Sequence, residues 1–123
     1  MILGLRTVIY PVTDLAKAKA WYSAVLERQP YFDEPYYVGY AVGGFELGLD
    51  PNGIPAQAQG GPLAYWGVAN ADAAVERLLG LGAGLHAGVE DVGDGIRHAV
   101  LVDPFGNSFG LIENPHFTPE SVQ

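Results

Sequence analysis

At 123 residues, 49% of them hydrophobic and 16% charged, the chain has the length and composition of one globular domain and excludes two independent cores or a disordered domain. A formal net charge of −8 with only six Lys and Arg excludes the clustered basic surface that a nucleic-acid backbone requires, and favours neutral or cationic partners. With no cysteine, no signal-like leader and no apolar run near the roughly 18 residues that span a bilayer, the expectation is a soluble cytoplasmic protein with no disulfide, no thiolate metal site and no membrane partner.

The predicted elements begin with a strand over Leu3–Val12, rich in the β-formers Val8, Ile9 and Tyr10 and closed by Pro11. Asp14 then caps a helix whose apolar face is Leu15, Ala18, Tyr22 and Val25, flanked by Trp21 and Leu26, and which ends near Arg28 ahead of Pro30. Tyr31-Phe32 reads as a short strand turned by Asp33-Glu34-Pro35. Tyr36–Val42 and Phe45–Asp50 follow as a hairpin on the loop Gly43-Gly44. Residues 1–50 therefore spell βαβββ. Residues 51–62 carry no hydrophobic period and several breakers, as a linker does. Leu63–Ala69 is the next strand, Asn70 a cap, and Ala71, Ala74, Val75, Leu78 and Leu79 the buried stripe of a second helix ended by Gly80 and Gly82. Leu85–Glu90, Ile96–Val102 and Asn107–Glu113 are three further strands, so residues 63–113 spell βαβββ again, with 114–123 as a tail.

The two halves share a register: Val12-Thr13-Asp14 recurs as Val68-Ala69-Asn70, an offset of 56. The expected fold is α+β, two tandem βαβββ modules in one domain. Each sheet buries one face under its helix, and the other faces form a curved sheet around a concave pocket. The most legible stretch is the last hairpin. Asp103-Pro104 presets a turn and Gly106-Asn107 tolerates positive φ between two apolar strands.

Three features together, the repeated module, the helix start Val-x-Asp-Leu-x-Lys-Ala-x-x-Trp-Tyr at Val12–Tyr22, and Asp103-Pro104-Phe105-Gly106-Asn107, resemble the glyoxalase, bleomycin-resistance and ring-cleaving dioxygenase superfamily, the vicinal oxygen chelate fold. The resemblance implies paired-module homodimers. It also implies that metal-dependent members hold a divalent cation with four His or Glu side chains on the first and last strand of each module. Those positions here are Thr7, Glu46, Leu63 and Gly110. Leu63 and Gly110 have no donor and a threonine hydroxyl is a poor one, so neither a metal nor another cofactor is expected. The ending Val102–Asn114 resembles the metal-free, bleomycin-resistance branch.

Alternation of side chains assigns the faces once Thr7 and Leu63 point inward. Leu5, Thr7 and Ile9, then Leu63, Tyr65 and Gly67, line the pocket, as do Glu46, Gly48 and Asp50. The two-residue loop adds Tyr37, Gly39 and Ala41, whereas a slip of one residue would exchange Tyr37 for Tyr36 and Tyr40. Trp21 and Trp66 belong to the core. Glu46, a charge within Phe-Glu-Leu-Gly-Leu, suits an anchor for a cationic group or a general base, and equally a solvated surface carboxylate. His98 shares its face with Val100 and Val102 and lacks a matched partner, while Arg97 beside Asp91 and Asp94 reads as a surface ion pair. Phe105 sits at the hairpin tip.

The expected ligand-contacting residues are thus Thr7, Ile9, Tyr37, Glu46, Gly48, Leu63, Tyr65, His98, Val100, Phe105 and Gly110, with no residue assigned to catalysis. Two functions compete. The first is metal-independent sequestration of a hydrophobic or cationic small molecule; the second is a metal-dependent lyase, isomerase or dioxygenase rearranged around Glu46. A module without a ligand would instead fill the pocket with its own side chains.

Overall fold

The computed structural model describes residues 1–52 and 62–117, so most of the expected linker and the end of the expected tail lie outside the described residues. The chain forms two compact units, Met1–Gly61 and Pro62–Gln123, each a four-stranded sheet carrying one helix in the order βαβββ.

In the first unit β1 (Thr7–Pro11) is followed by α1 (Leu15–Leu26), β2 (Phe32–Glu34), β3 (Tyr37–Val42) and β4 (Phe45–Asp50). The sheet order is β1-β4-β3-β2, with β1 parallel to β4 and the other pairs antiparallel. The strand expected from Leu3 starts only at Thr7. Its partner β4 begins at Phe45, directly after the Gly43-Gly44 loop, and the pairing ends where Glu46 N–H meets the Arg6 carbonyl at 2.8 Å, leaving Met1, Ile2, Leu3 and Leu5 exposed. Asp14 caps α1 as expected, accepting from Lys17 N–H at 3.1 Å, and the helix stops at Glu27, whose φ of 55° is left-handed. Asp33 and Glu34 belong to β2 and not to a turn, which falls on Pro35-Tyr36 instead.

Val42 pairs with Phe45, so the two-residue loop sets the register and Val38, Tyr40, Leu47 and Leu49 all turn toward α1. Their exposure is 1% or less, and each buried leucine stabilises the unit by about 2 kcal/mol relative to exposure. Tyr40 brings a hydroxyl into that layer. Its hydroxyl donates to the Lys19 carbonyl at 3.0 Å and shares a hydrogen bond with Ser23 Oγ at 2.8 Å, which satisfies it inside the core. Trp21 is half-buried beside Tyr22, edge to face at 4.8 Å.

The second unit repeats the pattern with β5 (Tyr65–Gly67), α2 (Ala71–Gly80), β6 (Gly84–Gly93), β7 (Ile96–Val102) and β8 (Ser108–Glu113), in the sheet order β5-β8-β7-β6. Asn70 caps α2 by accepting from Ala73 N–H at 2.9 Å, and Glu113 Oε1 accepts from Ala71 N–H at 2.8 Å. Gly80 is the last helical residue and not a stop, and the chain turns at Gly82, whose φ is 109°. Ala99, Leu101, Phe109 and Leu111 form the core against the helix, with Trp66 stacked on Phe109 at 6.3 Å.

Two strands of this unit differ from expectation. The first is three residues long, not seven, because it meets β8 only from Gly110 to Ile112. β6 runs on to Gly93, with register shifts along its pairing with β7, and turns at Asp94-Gly95, both with positive φ. Asp-Gly between strand-forming runs is the hairpin signal that places this turn. Arg97 pairs with Asp72 of α2 at 2.6 Å, on the helix side, where Asp91 is its cross-strand neighbour. Among the described residues no helix is long and apolar enough to cross a membrane.

Candidate functional site

Each sheet has a face turned away from its helix, and the alternation of β1, β3 and β4 puts Thr7, Ile9, Tyr37, Gly39, Glu46 and Gly48 together on that face of the first unit. Thr7 is the register partner of Glu46, Ile9 that of Gly48, and Gly39 faces Gly48 across the β3–β4 pair. β2 adds Phe32 and Glu34, which sequence reasoning left out of the site. Their partners Gly39 and Tyr37 fix that facing, while Asp33 between them turns to the other side and pairs with Lys19 of α1.

The two glycines decide how the polar groups meet. Tyr37 lies diagonally across β4, so a Cβ on Gly48 would overlap its hydroxyl and stand 2.6 Å from Cζ, and the ring's far edge covers Gly39. Thus placed, the Tyr37 hydroxyl donates to Glu46 Oε2 at 2.5 Å. Glu46 Oε1 lies 3.2 Å from where a Gly39 Cβ would be, and no described residue donates to it. Burial, with the nearby Asp50 carboxylate second, raises the Tyr37 phenol above the ordinary value near 10, so it is a neutral donor at physiological pH.

Tyr40 is raised too, chiefly by burial. A pH titration followed by phenolate absorbance should therefore show the Tyr37 and Tyr40 phenols ionising above the ordinary value near 10. Since folding raises both values, the stability these phenols contribute is present in full below pH 10 and is lost as the pH climbs through their folded values. Tyr37→Phe should remove one late-ionising phenol; a Tyr37 phenol that ionises at the ordinary value near 10 would contradict this packing.

In the second unit the corresponding face carries Tyr65, Gly110, Val100 and His98. Tyr65 pairs with Gly110, Val100 faces Gly110 from β7, and the Tyr65 ring lies 5.4 Å from the His98 ring at 42°. Gly110 has no room for a side chain: a Cβ there would fall 2.5 Å from the Ala64 carbonyl oxygen and 2.7 Å from Tyr65 Cδ1. Leu63 precedes β5 and is not part of it. The offset of 56 holds from the helix caps Asp14 and Asn70 back into the strands: Val12 N–H meets the Asp50 carbonyl as Val68 N–H meets that of Ile112, so Tyr65 opposite Gly110 corresponds to Ile9 opposite Gly48, and Leu63, which corresponds to Thr7, lies just before β5. Phe105 lies in the β7–β8 turn, outside the strands, so alternation does not assign it to a face; its N–H donates to Asp103 Oδ1 at 2.9 Å. Among the described residues no three His, Cys, Asp or Glu side chains cluster closely enough to hold a metal ion.

Two βαβββ units, each with its helix on one face and its strand-borne polar and glycine positions on the other, define a protein of the paired-module class. The chain matches the family model of the Glyoxalase/Bleomycin resistance protein/Dioxygenase superfamily over residues 4–111, and it belongs to that superfamily. Among solved structures it is similar to a glyoxalase-related enzyme from Fulvimarina pelagi, with 19% identity, 93% of this chain and 90% of that one covered, and a TM-score of 0.73. It is similar also to a lactoylglutathione lyase from Agrobacterium tumefaciens, with 20% identity, coverage of 96% and 100%, and a TM-score of 0.72. A glyoxalase/bleomycin resistance protein/dioxygenase family enzyme from Burkholderia phytofirmans PsJN shows 20% identity, coverage of 87% and 95%, and a TM-score of 0.73. At these identities the likeness is one of fold. No curated protein matches the sequence.

Proposed function

We propose that the protein binds a hydrophobic or cationic small molecule without a metal ion, through the sheet face that carries Tyr37 and Glu46 in the first unit or the one that carries Tyr65, His98 and Val100 in the second. The observation that carries this reading is the donor set at the positions where metal-dependent relatives keep their ligands. Thr7 offers a neutral hydroxyl, Glu46 already accepts from Tyr37, and Leu63 and Gly110 have no side-chain donor atom. A divalent cation needs several carboxylate or imidazole donors, so these residues do not fit one. The homodimer is part of the same proposal, since both sheets are open and leave edge strands that a second copy can cover.

Protein incubated with Mn²⁺, Fe²⁺, Ni²⁺ or Zn²⁺ and then desalted should retain far less than one ion per chain by elemental analysis, with Glu46→Gln indistinguishable from wild type. Near-stoichiometric metal lost in Glu46→Gln would overturn the reading in favour of a metal-dependent lyase, isomerase or dioxygenase. A bound compound should raise the melting temperature, since a ligand at a hundredfold its Kd adds about 2.7 kcal/mol of stability. Native mass spectrometry that finds only monomer at high concentration removes the dimer.

A further inference from the structure

We propose that Glu46, Tyr37 and Phe32 form an anchor for the ammonium or guanidinium group of an organic cation, a ligand class that deepens the binding reading above and rests on it. The first argument is the half-used carboxylate. Tyr37 donates to Oε2 and holds the group against the sheet, while Oε1 above Gly39 keeps its acceptor capacity for an N–H donor, and a charge-assisted bond is roughly twice as strong as a neutral one. The second is the ring geometry. Phe32 is the register partner of Gly39, and its ring stands 6.1 Å from that of Tyr37 at 59°, so two aromatic rings flank the glycine over which Oε1 lies. Aromatic faces attract cations, Arg-like and ammonium groups alike, by about 0.5–1 kcal/mol or more when desolvated.

The third argument is charge. Glu34 and Glu46 stand on this face, whereas none of its strand residues is Lys or Arg: Lys19 turns to Asp33 on the helix side, Arg28 reaches the Ala41 carbonyl, and Arg6, ahead of β1, turns its guanidinium back to the Leu5 carbonyl at 3.2 Å. The strand residues around Glu46 thus favour a cation over an anion. Glycine at 48 is what lets the phenol lie down on the sheet, since a Cβ there would displace it, and glycine at 39 leaves the close space that Oε1 occupies, 3.2 Å from where a Cβ would stand.

The test is an amide NMR titration of the full chain with benzylammonium, phenylguanidinium, neutral benzyl alcohol and benzoate as probes. Benzylammonium and phenylguanidinium should shift the Gly39 and Gly48 amides and bind at least tenfold more tightly than benzyl alcohol, with benzoate inert. Glu46→Gln, which keeps an acceptor for Tyr37, should cost the cations at least tenfold and leave benzyl alcohol unchanged, and Phe32→Leu should cost them about threefold to fivefold. Salt at 0.5 M should weaken the cations alone. Equal binding of benzyl alcohol, shifts remote from Gly39 and Gly48, or cation affinity unchanged in Glu46→Gln would overturn the anchor. Uptake of the neutral dye Nile red separates the two levels. Dye uptake without cation binding overturns the anchor and leaves the binding reading standing, and absence of both overturns both.

Discussion

Gly110→Ala is expected to destabilise the second unit by about 3 kcal/mol. The new Cβ would fall 2.5 Å from the Ala64 carbonyl oxygen, and that same oxygen accepts the Gly110 N–H at 3.1 Å. A backbone carbonyl cannot rotate away as a side chain can, so the β5–β8 pairing must open, losing a hydrogen bond and displacing Tyr65 at once. Gly48→Ala is the informative contrast. Its Cβ meets only the far end of Tyr37, which can swing out, so the stability cost should be about 1 kcal/mol while the Tyr37–Glu46 bond is lost. Each unit holds one of the two tryptophans, so urea unfolding in a Trp21→Phe background reports the Trp66 environment. A Gly110→Ala transition within 0.5 kcal/mol of its parent would show that β5 relaxes at no cost and would sink the packing argument.

Asp103→Ala should cost about 3 kcal/mol as well, by a different mechanism. The carboxylate is 4% exposed and accepts from three donors, Phe105 N–H at 2.9 Å, Asn107 N–H at 2.8 Å and Asn107 Nδ2 at 3.0 Å, which together fold the β7–β8 turn around it. Alanine leaves those donors facing apolar surroundings or half-reached by water, and each buried unsatisfied group costs about 1–3 kcal/mol. Asp103→Asn keeps one acceptor oxygen and should cost about half as much, so the ordering wild type, Asn, Ala is the measurable signature in urea unfolding. If the two variants unfold together with wild type, the turn is held by Pro104 and by Gly106, whose φ of 90° only glycine adopts freely, and the carboxylate is incidental.

Local chemistry made much of this legible. Asp14 and Asn70 were readable as caps because a short polar side chain ahead of an apolar 3.6-residue period satisfies the first free N–H groups wherever it occurs. The face of Tyr37, Glu46 and Gly48 followed from a period of two and from the Gly43-Gly44 loop, which needs only nearby residues to set the register. Phe32 and Glu34 escaped notice because a three-residue strand is too short to show a period, and its pairing with β3 supplies the facing. β5 begins two residues later in its module than β1, because its pairing with β8 starts only at Tyr65 and Gly110, and a short apolar run does not show where its parallel neighbour begins.

The sequence by itself determined the two βαβββ modules, the helix caps and the last hairpin, because each depends on residue type and on spacing along a few neighbouring positions, whereas Leu79, read as part of the buried stripe of α2, is 40% exposed. Only the tertiary structure decided that Tyr37 crosses Gly48 to reach Glu46, that Gly110 lies against the Ala64 carbonyl, and that Arg97 finds Asp72. Those contacts join residues 9 to 46 positions apart on different elements, so they exist only once pairing register and helix placement are set, and no local period encodes them.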